Sequence, residues 1–171
     1  MNIFYFSAEV EPFAKSGGLG DVLGALPKAV AKVRGNNVSV VMPLYKDVIK
    51  PEYKMQMQYL GYFYTEVNWR HQYVGVFSLV RDNVTYYFID NEYYFNRPYV
   101  YGLGGDEGER FAFFSRAVLE MLPRLDCFPD VLHCHDWQTG LIPMLLRTQY
   151  NRRSEYAAIK TVYTIHNLQY Q

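Results

Sequence analysis

The sequence predicts an α/β protein: a parallel sheet with helices on both faces and an antiparallel β-meander inserted into it. Three observations predict it. A Gly-rich turn joins a short apolar strand to a helical pattern near the start. A tyrosine-rich run of alternating strands follows, and then strand and helix patterns alternate again as far as residue 165. The 171 residues, 50% apolar and 18% aromatic, suffice for one domain or one lobe of a larger enzyme.

Residues 3–8 are short and apolar and read as the first strand. The stretch Lys15-Ser16-Gly17-Gly18-Leu19-Gly20-Asp21 follows it. Val22, Leu23, Leu26, Ala29, Val30 and Val33 then recur at helical spacing, and Gly35 supplies a stop. Pro27 falls inside that pattern and predicts a kink or a late helix start. Residues 38–42 read as a buried strand ended by Pro43, which completes a βαβ unit. Between 57 and 90 the period changes to two. Phe63, Thr65 and Val67 alternate with their neighbours, as do Tyr73, Gly75, Phe77 and Leu79, and Val84, Tyr86 and Phe88 follow the turn Arg81-Asp82-Asn83. Tyrosine suits strands with one wet face, and the same rings admit use as a sugar-facing platform. Helical spacing returns from Glu107 to Leu122. A buried strand at 131–135, a helical stretch at about 138–149 and a strand at 160–165 close the pattern.

Seventeen basic and seventeen acidic side chains cancel, which excludes a strongly basic nucleic-acid surface and a solvated acidic tail. No apolar run approaches the ~20 residues that a membrane span needs. No positive segment precedes Ile3–Phe6, so neither a membrane partner nor a signal peptide is expected. Two cysteines, Cys127 and Cys134, cannot build a disulfide framework, and a reducing, cytoplasmic setting is the expectation.

Loops after parallel strands gather along the carboxyl edge of a sheet, where such folds bind ligands. Three chemically rich segments fall there: Lys15–Asp21, His133–Gln138, and His166-Asn167. In the first, Gly17 and Gly18 have no side chain to block a ligand. Their backbone N–H groups are expected to face an anion at the helix start, with Lys15 adding charge, so a diphosphate is the natural guest. An ordinary strand-to-helix turn is the plainer alternative. The spacing is neither G-x-G-x-x-G nor a Walker loop, and Pro43-Leu44-Tyr45-Lys46 offers no acid to a ribose hydroxyl. In the second, His133 and His135 lie two apart on a strand and face one side, with Cys134 opposite. They admit three uses: a metal site with Asp136, a hydrogen-bonded core pair, or part of a polar ligand site. In that last use Asp136 accepts from sugar hydroxyls and Trp137 offers its ring to a pyranose. The C-x-x-C of zinc deaminases is missing. In the third, His166 and Asn167 end a strand at the same edge.

Lys15–Val22, followed by Gly24-Ala25-Leu26-Pro27, resembles the N-terminal signature of bacterial glycogen synthases and plant starch synthases. His133-Cys134-His135-Asp136-Trp137 and His166–Gln171 resemble that family's second and third blocks, in order and at familiar separation. The resemblance implies a Rossmann-like lobe of a GT-B enzyme. Such an enzyme transfers glucose from ADP-glucose to the non-reducing end of an α-1,4-glucan with retention of configuration, the nucleotide sugar being a substrate rather than a cofactor. It also implies roles. Lys15, Gly17, Gly18 and Asp21 serve the donor phosphates, His166 stands beside the transferred glucose with Asn167 next to it, and Asp136 orients the sugar. Trp137 and Phe95 line the acceptor side, Phe95 standing where some members carry a tyrosine. No metal is implied. Asp106, Arg110 and Phe111 resemble a helix-start block with a structural role. The family continues beyond Gln171 into a second, nucleotide-binding lobe that carries further phosphate ligands. The chain is therefore expected to be an N-terminal lobe fragment that folds but transfers glucose negligibly alone. Two other classes remain open from the residues: a carbohydrate-binding module using the tyrosine meander, and a metal-dependent hydrolase on His133, His135 and Asp136.

Overall fold

The computed structural model describes residues 1–102 and 104–170. The first strand, β1 (Asn2–Phe6), leads through an irregular segment into helix α1 (Gly18–Ala31) and then β2 (Asn37–Pro43). A single-turn helix, α2 (Pro51–Lys54), precedes three long strands, β3 (Gln58–Val67), β4 (Arg70–Arg81) and β5 (Val84–Asp90). After the single turn α3 (Glu92–Phe95) come α4 (Glu107–Arg124) and β6 (Val131–His135). The short helices α5 (Leu141–Leu145) and α6 (Ser154–Ala157) lead to β7 (Lys160–Thr164).

All seven strands form one sheet in the order β3-β4-β5-β2-β1-β6-β7. β5, β2, β1, β6 and β7 run parallel, while β3 and β4 extend the sheet antiparallel beyond β5. The meander is thus part of the main sheet, because its last strand β5 is the parallel neighbour of β2. Ile3–Phe6 and Val38–Pro43 are buried without alternation, as in a sheet covered on both faces. On β3, by contrast, Phe63 and Thr65 are buried while Tyr62 and Tyr64 are exposed, so one face of the meander is open.

α1 starts at Gly18, ahead of Pro27 rather than after it, and runs on to Ala31. Its first turns fit closely against residues 11–15. A Cβ on Gly20 would lie 2.9 Å from Lys15 Cγ, and one on Gly24 3.0 Å from Glu11 Cβ. The expected helix at 138–149 is broken into a single turn at 137–139, α5, and a wider π-type turn at 146–150. Pro143 lies in this stretch, and its ring nitrogen cannot donate to a preceding carbonyl.

The core includes the fully buried guanidinium of Arg110. It donates to the carbonyls of Tyr94 (2.9 Å) and Val100 (3.2 Å) and pairs with Glu107, pinning the loop between α3 and α4. Arg97 pairs with Asp106 at the start of α4. Among the described residues no helix is long and apolar enough to cross a membrane.

Candidate active site

The loops after β1, β6 and β7 meet in one cleft of about 810 Å3 at the carboxyl edge of the sheet. β1 is the hydrogen-bonded neighbour of β6, and β6 of β7, so the ends of the three strands lie side by side. Gly17, Gly18, Asp136, Trp137, His166 and Asn167 all line this cleft, and Glu9, Tyr101 and Glu107 join them. Gly18 and Leu19 are the first residues of α1, so the positive end of that helix forms part of the wall.

Asp136 ties the second and third segments together. Its backbone is held at φ 59° and ψ 179°, a conformation rare outside glycine. From there Oδ1 accepts the backbone N–H of His166 at 2.6 Å. The turn is fixed by Thr139, whose hydroxyl donates to the carbonyls of His135 (2.8 Å) and Asp136 (3.2 Å). Trp137 stands edge-on to Phe111, with ring centroids 5.2 Å apart.

The histidines form a row, His133 and His135 face to face and His135 and His166 nearly coplanar, edge to edge. His133 and His135 lie 4.1 Å apart and His135 and His166 5.1 Å apart, ring centre to ring centre. His133 Nε2 is 2.7 Å from the hydroxyl of Thr164, and His135 Nδ1 is 2.8 Å from His166 Nε2. Burial pushes the His135 pKa down to about 3, with His133 and His166 adding to the effect, and it lowers that of His133 too. Each of the two histidines on β6 is thus hydrogen-bonded to the β7 side, His133 to Thr164 and His135 to His166. Among the described residues no group of three or more His, Cys, Asp or Glu side chains stands at metal-holding distances.

Glu9 is the residue that sequence reasoning missed. It is buried at 3% exposure, and its carboxylate accepts the N–H groups of Ser16 (2.5 Å) and Gly17 (2.8 Å). The Gly17 amide, expected to face a bound anion, is therefore already turned toward a resident carboxylate. Burial raises the pKa of the Tyr101 hydroxyl, and its hydrogen bond to Glu9 raises it further, so it stays a donor. The one signal in the sequence was an acid at the end of a buried strand, eight residues before Gly17. Glu107 was missed as well. It lines the cleft and accepts from Gly102 N–H at 3.3 Å besides pairing with Arg110.

Three of the expected site residues are not brought to the cleft wall. Lys15 and Asp21 stand outside it as an exposed ion pair, 2.5 Å from Nζ to Oδ1, with Glu11 at 3.4 Å from the same nitrogen. Their hydrogen bond raises the Lys15 pKa and lowers that of Asp21. Phe95 is fully buried. Its ring lies among Tyr45, Phe113 and Phe114, and the Arg110 guanidinium is 5.7 Å from its centre. The exposed ring of that turn is Tyr93. Gln171, the last residue of the third block, lies outside the described residues.

The structure is thus an α/β lobe whose carboxyl-edge cleft gathers a helix N-terminus, three carboxylates, an imidazole and an indole, the place where such folds bind ligands. The starch synthase catalytic domain family matches residues 2–171, and the chain belongs to that family. It is 54% identical over its whole length to a glycogen synthase of Streptococcus agalactiae, covering 35% of that protein. It is 53% identical to a glycogen synthase of Geobacillus stearothermophilus, again covering 35%. Among solved structures it is similar to the catalytic domain of starch synthase IV from Arabidopsis thaliana bound to ADP and acarbose. That likeness has a TM-score of 0.89 at 29% identity, over 99% of this chain and 34% of the other. The chain spans about a third of the length of the curated relatives it matches.

Proposed function

We propose that the whole protein transfers glucose from ADP-glucose to the non-reducing end of an α-1,4-glucan with retention of configuration. This chain supplies the N-terminal lobe and half of the cleft. The observation that carries the reading is the meeting of the Gly17-Gly18 loop, Asp136 and His166 in one cavity. That the similar plant starch synthase domain is bound to ADP and acarbose supports a nucleotide donor and a sugar acceptor. Leaving-group chemistry of this kind needs charge stabilisation at a departing diphosphate and at an oxocarbenium-like carbon. The α1 terminus and Gly18 meet the phosphates, and Lys15 leaves its partners Asp21 and Glu11 to join them. Asp136 and His166 orient the glucose, Asn167 flanks it, and Trp137 gives its ring to the sugar. A second, nucleotide-binding lobe closes over the cleft and expels water, whose attack would turn transfer into hydrolysis. The free cysteines Cys127 and Cys134 suit work in the cytoplasm.

The whole protein, assayed with ADP-glucose and glycogen, is expected to elongate glucan, and this chain alone is not. Elongation by the chain alone would refute the shared-cleft reading. A second reading, glucan binding without catalysis, draws on the open face of the meander, where Tyr62 and Tyr73 stack with centres 5.6 Å apart. Calorimetric titration with maltooligosaccharide and with ADP-glucose separates the two, since a platform alone binds glucan with no response to the nucleotide.

A further inference from the structure

His135 does not line the cleft, yet it is bonded to a residue that does. Its Nδ1 lies 2.8 Å from Nε2 of His166, and the two rings are nearly parallel at 14°. Its other nitrogen, Nε2, is buried and has no hydrogen-bond partner among the described residues. Burial keeps this ring neutral at physiological pH, so it carries a single N–H.

Two arrangements of the histidine pair satisfy the 2.8 Å contact. If His166 donated from Nε2, the His135 proton would sit on the buried Nε2 and have no acceptor. If His135 donates from Nδ1, its N–H is bonded and only a bare lone pair is left buried. Orphaned buried N–H groups are the rarer of the two defects, so the second arrangement is the one the surroundings favour. It places the His166 proton on Nδ1, on the far flank of a ring that lines the cleft.

We propose that His135 is a positioning residue: it donates Nδ1–H to Nε2 of His166 and so fixes His166 as the Nδ1–H tautomer, which presents a hydrogen-bond donor to the cleft. His166 then selects for a lone pair on the ligand, such as a hydroxyl oxygen, and against a donor-only group. Only the identity of that oxygen as one of a sugar rests on the glucosyl-transfer reading. The tautomer itself does not.

Long-range proton–nitrogen NMR correlation of the imidazoles tests this directly on the chain at mildly alkaline pH, with no substrate present. In the wild type His166 is expected to show a protonated Nδ1 and a bare Nε2. In His135→Phe it is expected to move toward the Nε2–H form that an unconstrained histidine favours in water. A wild-type His166 with its proton on Nε2 overturns the proposal, as does a tautomer ratio unchanged in His135→Phe. Should His135→Phe fail to fold, the wild-type spectrum still decides. His135→Asn, whose side-chain amide replaces the lost donor, is then expected to keep the Nδ1–H form, and reversal there counts against the proposal. An inactive whole protein with the expected spectrum would remove the glucosyl-transfer reading and leave the tautomer assignment standing.

Discussion

Asp136 accepts the backbone N–H of His166 at 2.6 Å, joining two strand ends thirty residues apart in the chain. The bond sets the spacing between carboxylate and imidazole in the cleft, and Asp136 holds it from a left-handed backbone. Replacing Asp136 by Ala leaves the His166 amide without that acceptor. Urea unfolding of the chain should show a loss of about 1.5–3 kcal/mol. Asp136→Asn keeps an oxygen acceptor but not the charge. In the whole protein turnover should then fall about 10²-fold with folding intact, and unchanged turnover would remove the charge from the mechanism.

Glu9 holds the Ser16 and Gly17 amides through one carboxylate oxygen. Glu9→Ala abandons both and should cost about 3 kcal/mol, read as a lower urea midpoint, whereas Glu9→Gln retains an acceptor and should cost about 1 kcal/mol. A loss under about 0.5 kcal/mol in the alanine variant would mean that the Gly loop is held by its glycines and helix contacts alone.

Lys15 is exposed and, among the described residues, pairs with the exposed carboxylates of Glu11 and Asp21. Lys15→Ala should leave the unfolding midpoint of the chain within about 0.5 kcal/mol of wild type. In the whole protein it should lower turnover strongly, with a smaller effect on glucan affinity. A normal rate would take Lys15 out of donor binding.

Phe95→Tyr distinguishes a core ring from an acceptor contact. In the closed packing around Phe95 a hydroxyl has to be buried, and the expected loss is about 1–3 kcal/mol of stability. Tighter maltooligosaccharide binding by this variant in the whole protein would contradict the buried position.

His135 is neutral when folded and ordinarily basic when unfolded, so acid favours the unfolded chain. Above pH ~6.5 neither state binds the proton and the residue has no effect. As pH falls toward the folded value of about 3, stability is lost progressively. Between pH 6.5 and 5 the loss from this residue is about 2 kcal/mol, and His133, shifted the same way, adds to it. Urea midpoints that do not fall across this range would show that the histidine row accepts a proton.

The sheet was legible in the sequence because β1 and β2 are short apolar runs, β2 lying between Gly35 and Pro43, and the β3–β5 stretch changes to a period of two. The place of β5 was not, since nothing in an alternating pattern says which strand it will pair with, and the pairing with β2 is set by packing across the chain. Pro27 misled about the start of α1, where the fit of Gly20 and Gly24 against residues 11–15 outweighs a missing N–H. The cleft followed from strand-end positions, which put Gly17, Asp136 and His166 on one edge. Glu9 was hidden because its role is to satisfy backbone amides, and its partners are residues with no polar side-chain pattern of their own. Phe95 was carried over by position alone, and position did not reveal that the inward side of a one-turn helix faces Phe113 and Phe114.

β1, the opening strand of the chain, lies between β2 and β6 and draws one neighbour from residues 37–43 and the other from 131–135. During synthesis β1 must therefore wait, one edge unsatisfied, until the more than one hundred residues that separate it from β6 have left the ribosome. Pairings over such separations are slow to form. The cleft wall opposite the Gly loop is made more than a hundred residues after the loop itself, so the cleft cannot assemble until β6 and β7 have emerged.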